Sequence, residues 1–492
     1  MSNIYVYHTH IEVQPYELGS QHSLETCCSV WVEGEYRYDN IGYHYEVDTK
    51  TLYLPRGMSL PWLEELFDAT VVFKDDYYPY DRLSDVIINT EPRDIIQEKS
   101  VNFLTGGKGY KHTKKCSQLA LTLNTGDGKT FCTIYSILKL KMKALIITHV
   151  DNIRDQWYNA FLKFTNIKED RMFNIVGSST IQSILKGEVD ADIYFINHKT
   201  ILSYAQANGW ESVGDFIKKL KIGIKVYDEA HLCFRNILRT DMFSNVYKTF
   251  YLSATFDRSD DKESRIFKKA FANTERFGRG CDGYVDRDKN IIYVPLLYRS
   301  EMNERDQAKC MTNYGFSFNR YLDIMLSEYN DKLLNMVLYA IHLCNKIEGR
   351  VLITTSTVES IKIFKELINK YVGKTKYVGL YYSGLSSEEK EDVINNADII
   401  ISTIRGNGTG SDIKRLRAII NIESFSSPII ANQLAGRLRP YGNEDSYLFD
   451  IVDLSHNSLN NQYKSRLKQM KLKCKDIRAL KVKYVYNPFI ED

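Results

Sequence analysis

Short apolar runs alternate with longer amphipathic stretches through most of this chain, and that alternation leaves few folds open. ALIITHV, IYFIN, IKVYDEAH and TFYLSAT are rich in Ile, Val and Tyr and read as buried strands. Helical stretches separate them, which predicts a parallel sheet with helices on both faces. The pattern starts near residue 86 and repeats beyond about residue 290, in NIIYVPLL, RVLITTS, KYVGLYYSG, ADIIIST and RAIINIES. KLLNMVLYAIHLCNKI and VESIKIFKELINKYV carry helical spacing between those runs. Two α/β domains of similar size are therefore expected, at 86–288 and 289–456. Ahead of them, in residues 1–85, YRYDN, YHYEV and TLYLPRG predict short strands and LPWLEELF one short helix, a small α+β module. Behind them, residues 457–492 are expected to form a basic helical tail.

A length of 492 residues accommodates about three or four such units. Net charge is only +3, from 65 basic and 62 acidic residues, so any attraction for nucleic acid must be local. The nine cysteines include no Cys-x-x-Cys pair, and Cys27 and Cys28 are adjacent. Reduced thiols in a cytoplasmic protein without a zinc site are the expectation. MSNIYVYHTH has neither the basic start nor the apolar core of a signal peptide. No run approaches the ~18 apolar residues of a membrane span.

The segment LNTGDGKT (residues 123–130) lies between LALTL, a strand, and TFCTIYSILKLK, a helix. Strand, glycine turn and helix form the context of a phosphate-binding loop, although Leu123 stands where the Gly-x-x-x-x-Gly-Lys-Thr pattern opens on glycine. Gly126 and Gly128 let backbone N–H groups turn inward around phosphate oxygens, with Thr125 and Asp127 in the same turn. Lys129 can reach the β- and γ-phosphates of ATP, and the Thr130 hydroxyl is available to Mg²⁺. A glycine turn with a solvated lysine is the alternative. VYDEAH (226–231) places two acids at a strand end: Asp228 suits Mg²⁺, and Glu229 suits orientation and deprotonation of an attacking water. A helix cap or solvated turn would use the same residues. YLSATFDRSD (251–260) adds Ser253 and Thr255 at a further strand end.

The second α/β domain contributes STIRGNGTGSDI (402–413) and QLAGRLRP (433–440). A glycine-rich strand end can approach a phosphate closely. Arg437 and Arg439 can neutralise the charge that develops on a transferred phosphoryl group, or bind anions without specificity.

In this order, the segments resemble the motif set of superfamily 2 helicases over about residues 86–455. LNTGDGKT resembles motif I, LIITHVDNIRDQW motif Ia with His149 where proline is usual, DEAH motif II and SAT motif III. VLITTSTVES resembles motif IV, GTGSD motif V and QLAGRLR motif VI. EPRDIIQ (91–97) resembles the segment whose glutamine, here Gln97, reads adenine. SATFDRSD resembles the branch that contains the XPB translocases and phage UvsW helicases. The small N-terminal module is similar to that of the UvsW proteins over about 50 residues. Motif VI departs from that branch: Arg439 arrives one residue early and Pro440 takes the last position, a Gly-Arg-x-Arg arrangement that resembles the Dicer-like branch. Which arginine touches which phosphate stays open.

The resemblance implies two tandem RecA-like domains and an ATP- and Mg²⁺-dependent enzyme acting on nucleic acid as a monomer in the cytoplasm, that of the host if the protein is phage-encoded. It implies nucleotide contacts from Gly410 and Asp412, a catalytic place for Gln433 beside Glu229, Arg437 and Arg439, and coupling through His231, Ser253 and Thr255. Closing of the two domains on ATP, and reopening after hydrolysis, would then drive stepping along a strand. Thr148 and Thr403 are candidates for backbone phosphate contacts, and β-propensity at strand ends is the alternative. In the tail, 462–484 holds nine basic residues and one acid. Leu467, Met470, Cys474 and Ile477 recur there at helical spacing, leaving Lys468, Lys471 and Lys475 for DNA phosphate or for solvent. Trp31, Tyr36, Tyr38, Tyr43 and Tyr45 can stack on bases or fill a small β core. Remodelling of branched or forked DNA is the expected function. An RNA helicase or transcript-release factor, and an ATP-gated clamp that does not unwind, are the alternatives.

Overall fold

The structure, a computed structural model, describes residues 2–16, 24, 27–32, 37–124, 126–254, 261–282, 284, 290–313, 315–404, 413–438, 444–483 and 486–489. It divides into two compact units, Met1–Asp286 and Arg287–Asp492.

The first unit opens with β1 (Asn3–Val6), β2 (His10–Gln14), the hairpin β3 (Ser29–Val32) and β4 (Arg37–Asn40), β5 (His44–Glu46), β6 (Thr51–Pro55) and β7 (Thr70–Phe73). Five of these form a sheet in the order β5-β6-β2-β1-β7, antiparallel except for β1 with β7. Alternation of inward Ile4, Ile11, Val13, Leu52 and Leu54 gives it a core of its own. Tyr43 belongs to that core and Tyr45 packs against it. Of the aromatics that could stack on bases or fill a small β core, Tyr43 and Tyr45 thus take the second part; the side chains of Trp31, Tyr36 and Tyr38 lie outside the described residues.

This N-terminal region is bonded into the rest of the unit. Gln118 donates to the Thr9 carbonyl at 3.2 Å, His8 N–H to Asn245 Oδ1 at 3.2 Å, and Arg239 to the Asn40 carbonyl at 2.7 Å. Tyr53 stacks on Phe243 with ring centroids 5.3 Å apart.

The main sheet of the unit comprises β8 (Gln118–Thr122), β9 (Ala144–Thr148), β10 (Met172–Ile175), β11 (Ile193–Asn197), β12 (Ile224–Tyr227), β13 (Lys248–Leu252) and β14 (Glu275–Gly278). All pairings are parallel, in the order β10-β11-β9-β12-β13-β8-β14. Every residue of β8, β9, β12 and β13 is buried, as strands covered on both faces require. Parallel register has a direct consequence for function. The residues that follow β8, β12 and β13, three adjacent strands, emerge at one edge of the sheet.

The second unit repeats the plan with β15 (Ile291–Tyr298), a short hairpin β16 (Met311–Thr312) and β17 (Gly315–Phe316), β18 (Arg350–Thr355), β19 (Val378–Tyr381), β20 (Ile399–Thr403), β21 (Leu416–Asn421), β22 (Ser446–Asp453), β23 (Asp476–Ile477) and β24 (Leu480–Lys481). Its parallel sheet runs β19-β20-β18-β21-β22-β15-β23, with β24 also on β15. These two sheets are the tandem RecA-like domains expected from the sequence.

The tail differs from expectation. Its helix, Asn457–Lys473, ends before Cys474, whose backbone is extended (φ −94°, ψ 150°). Ile477 then pairs with Tyr293 as a strand. The stripe Leu467, Met470, Cys474, Ile477 is thus not one helical face. The buried face of the helix is Leu459, Tyr463, Arg466 and Met470, packed into the second unit. No helix among the described residues is long and apolar enough to cross a membrane.

Candidate active site

The loop after β8 is built from its flanks. Leu123 is fully buried in the core that also holds Leu121 and Phe131, and it has no left-handed backbone. A leucine therefore serves at this position, because the chain is still leaving the strand there. The turn proper needs glycine. Gly126 and Gly128 have φ of 90° and 92°, and Gly128 caps the helix Lys129–Leu140. A β-carbon on Gly128 would meet Gln97 Nε2 at 2.3 Å.

Gln97 is almost fully buried and braces the loop from outside. Its N–H donates to the capping Asp94 carboxylate at 2.9 Å, and its Oε1 accepts from Arg93 N–H at 3.0 Å. Its Nε2 donates to the Asp127 carbonyl at 3.1 Å, while Arg93 Nη2 donates to the Gly126 carbonyl at 2.6 Å. Tyr284 adds a third brace, donating to Asp127 Oδ2 at 2.9 Å and accepting from Asn124 Nδ2 at 2.8 Å. Lys129 Nζ donates to the Leu123 carbonyl at 3.1 Å, at the mouth of a helix N-terminus suited to anions. Thr130 follows in the first turn.

Asp228 and Glu229 follow β12 at the same edge. Asp228 Oδ2 accepts from Trp157 Nε1 at 2.8 Å and Oδ1 from Glu229 N–H at 3.0 Å. Burial, reinforced by the neighbouring Glu229 charge, holds the Asp228 carboxyl above its ordinary pKa, against the pull of Trp157, Lys129 and His149. Glu229 itself has a left-handed backbone (φ 48°), a strained conformation for a residue with a β-carbon. Its Oε2 is buried without a hydrogen-bond partner, 3.4 Å from His231 Nδ1, whose bond goes to Ser253 Oγ at 2.8 Å. A carboxylate that follows β12 at the sheet edge where the glycine loop follows β8 fits a nucleotide whose phosphates are to be attacked by water. Among the described residues no three His, Cys, Asp or Glu side chains form a metal cluster by themselves. The Thr130 hydroxyl and the Asp228 carboxylate are the side chains that would hold Mg²⁺ here, with phosphate and water completing its shell.

The remaining sequence candidates are spread more widely. Thr148 needs correction: it is fully buried and its hydroxyl donates to the Val150 carbonyl at 3.2 Å, so it is not presented to a phosphate. Thr403 ends β20 with 9% exposure. In the second unit, Gln433 lies in the helix Pro428–Ala435 and Arg437 in the turn after it, both half-buried. Lys468 and Lys471 are exposed on the Asn457–Lys473 helix, whereas Lys475 Nζ is committed to Asp445 at 2.7 Å. Thr125, Thr255, Gly410, Asp412 and Arg439 lie outside the described residues.

Sequence reasoning missed Arg93, Trp157 and Tyr284. Arg93 and Trp157 stand inside segments that were singled out, but their partners lie far along the chain. No local pattern marks Tyr284.

Comparison with known proteins agrees with this geometry. Residues 90–258 match the family model for the type III restriction enzyme res subunit, and 330–440 match the helicase conserved C-terminal domain. A protein of Acanthamoeba polyphaga mimivirus named as an ATP-dependent RNA helicase is 24% identical over 360 residues, 70% of this chain and 62% of that one. A transcript termination protein of Yaba-like disease virus is 23% identical over 347 residues, 67% of this chain and 66% of that one. The chain thus spans a little under two thirds of the length of both relatives. Among solved structures, the ATP-dependent type ISP restriction-modification enzyme LlaBIII bound to DNA matches with a TM-score of 0.52 at 15% identity, over 80% of this chain and 32% of that one.

Proposed function

The chain belongs to the superfamily 2 helicases, and from that premise we propose that it is an ATP-driven translocase that remodels branched or forked DNA. The observation that supports the ATP-hydrolysing part of this reading is one edge of the first unit's sheet, where the braced glycine loop after β8 and Glu229 after β12 emerge with only β13 between their strands. Gly126, Gly128 and Lys129 hold the phosphates, with Lys129 exchanging the Leu123 carbonyl for them. Gln97 selects adenine, and Thr125, Asp127, Gly410 and Asp412 complete the nucleotide contacts. Mg²⁺, held by Thr130 and Asp228, supplies neutralisation of phosphate charge. Glu229 accepts a proton from the attacking water, and the His231–Ser253 bond, with Thr255, couples that event to strand movement. Gln433, Arg437 and Arg439 of the second unit offset the charge that develops during transfer. Thr403, Lys468 and Lys471 follow nucleic-acid phosphates, with a lesser share from Lys475.

The names of the two viral relatives favour a second reading, release or unwinding of RNA by the same engine. One experiment separates the two. ATP turnover is measured with forked DNA, duplex DNA and single-stranded RNA as stimulants. Strongest stimulation by forked DNA is expected. Stimulation by RNA alone would overturn the DNA reading, and no nucleic-acid stimulation would reduce the protein to an ATP-gated clamp.

A further inference from the structure

Arg466 is one of the basic residues of the tail, yet it is only 2% exposed. Its Nε donates to Asp450 Oδ2 at 2.9 Å. Its Nη1 donates to Ser424 Oγ at 3.0 Å and to the Phe425 carbonyl at 2.9 Å, and the guanidinium lies 5.2 Å from the Phe425 ring centre. Asp450, equally buried, also accepts from Tyr293 Oη at 2.5 Å and from Asn421 Nδ2 at 2.8 Å. Asn421 donates to the Glu423 carbonyl at 2.8 Å and accepts from Thr354 Oγ1 at 3.1 Å.

These bonds converge on one short stretch, 421–425, which joins β21 to the helix Pro428–Ala435. That helix is capped by Ser427 and packs along the Asn457–Lys473 helix, which carries Arg466. Arg437 follows its last turn. A buried ion pair adds little net stability compared with a well-packed apolar pair of the same shape. A planar fork that grips a hydroxyl, a carbonyl and a carboxylate at once does fix geometry. We propose that Arg466 is a positioning residue for the arginine turn, setting the pose of 421–427 and, through the short helix, the place of Gln433 and Arg437 during ATP hydrolysis. The inference rests on the role assigned above to Arg437.

The test compares R466K with wild type, alone and combined with R437A, in steady-state ATP hydrolysis by the full chain. Lysine keeps the charge facing Asp450 but cannot fork to Ser424 and Phe425. The expected result is a kcat lower by roughly tenfold or more with KM for ATP changed less than about twofold, the signature of a contact that matters in the transition state. In the R437A background R466K should lower kcat no further, because both act through one group. S424A removes one grip without touching the buried charge, and covers the case in which R466K folds poorly. It should lower kcat about threefold, again with KM unchanged and again with no added effect in R437A. Losses that multiply in the double variants, or wild-type kcat in both R466K and S424A, overturn this inference alone. Full turnover in R437A by itself overturns the role of the arginine turn, and this inference with it.

Discussion

Replacing Gly128 by alanine puts numbers on the claim that the loop is braced from outside. A residue with a β-carbon at φ 92° carries left-handed strain of about 1–2 kcal/mol. The new β-carbon would also lie 2.3 Å from Gln97 Nε2. Moving that amide sacrifices its 3.1 Å bond to the Asp127 carbonyl, a further cost of about 1 kcal/mol. The sum, about 2–3 kcal/mol, converts to roughly 30- to 140-fold in nucleotide affinity if the loop relieves the clash by shifting its amides. Gly187 supplies the control. It has a similar φ of 81°, but nothing lies within 4 Å of its added β-carbon. Gly187→Ala should therefore show only the backbone cost in urea unfolding, with nucleotide affinity unchanged. In a Gln97→Ala background, Gly128→Ala should fall back toward the backbone cost of about 1–2 kcal/mol. The assay is fluorescence titration with an ATP analogue beside urea unfolding of the same preparations. Nucleotide affinity within twofold of wild type in Gly128→Ala, with a stability loss equal to that of Gly187→Ala, would refute the bracing argument.

Further outcomes are expected elsewhere. Glu229→Gln should bind ATP normally and lose hydrolysis, since an amide cannot take the proton from water; turnover within a few-fold of wild type in a phosphate-release assay would remove Glu229 from that role. Arg437→Ala should lower turnover by roughly 10³-fold with little change in ATP affinity, read by the same assay beside nucleotide titration. Charge reversal at Lys468 and Lys471 should weaken forked-DNA binding and flatten its salt dependence, while reversal at Lys475, already paired with Asp445, should do less; equal salt slopes in all variants would confine the phosphate contacts to other residues. Burial, assisted by the neighbouring His149, lowers the His198 imidazole to about 3. Between pH 6.5 and about 3 the unfolded chain binds that proton and the folded chain does not, so stability falls as pH falls, by up to ~1.4 kcal/mol per pH unit. His198→Phe, which preserves the stacking on Tyr227, should flatten that dependence in urea unfolding.

What the sequence discloses here follows from the range of each interaction. Strands covered on both faces announce themselves through runs of Ile, Val, Leu and Tyr, so the middle of each sheet is legible, whereas β10 (MFNI), β14 (ERFG) and β22 (SYLFDIVD) escape the sequence reading. The glycine loop and the Asp228–Glu229 pair are legible because their chemistry is contiguous. The failures share a cause in long-range packing. Arg466 reads as one more charge in a basic tail, since nothing local shows that Asp450 waits for it in the core. Leu467, Met470, Cys474 and Ile477 fit a helical period, but β15 offers an open edge and the chain becomes strand after Lys473. Thr148 sits at a strand end that suits a phosphate contact, yet the turn to Val150 folds its hydroxyl inward. The small N-terminal sheet shows its strands in the sequence but not its docking, which depends on Asn245 and Phe243 far downstream.

The place of β15 bears on how the protein is made. This strand of eight residues leads the second unit, yet its sheet neighbours are β22 on one side and β23 and β24 on the other. On the ribosome it emerges long before either neighbour exists. Until residues 446–481 have been synthesised, IIYVPLLY is a nascent apolar strand with two bare edges, the kind of segment that pairs with whatever strand it meets. A nascent chain stalled anywhere between β15 and β22 should aggregate or recruit a chaperone, and a chain released after β24 should not.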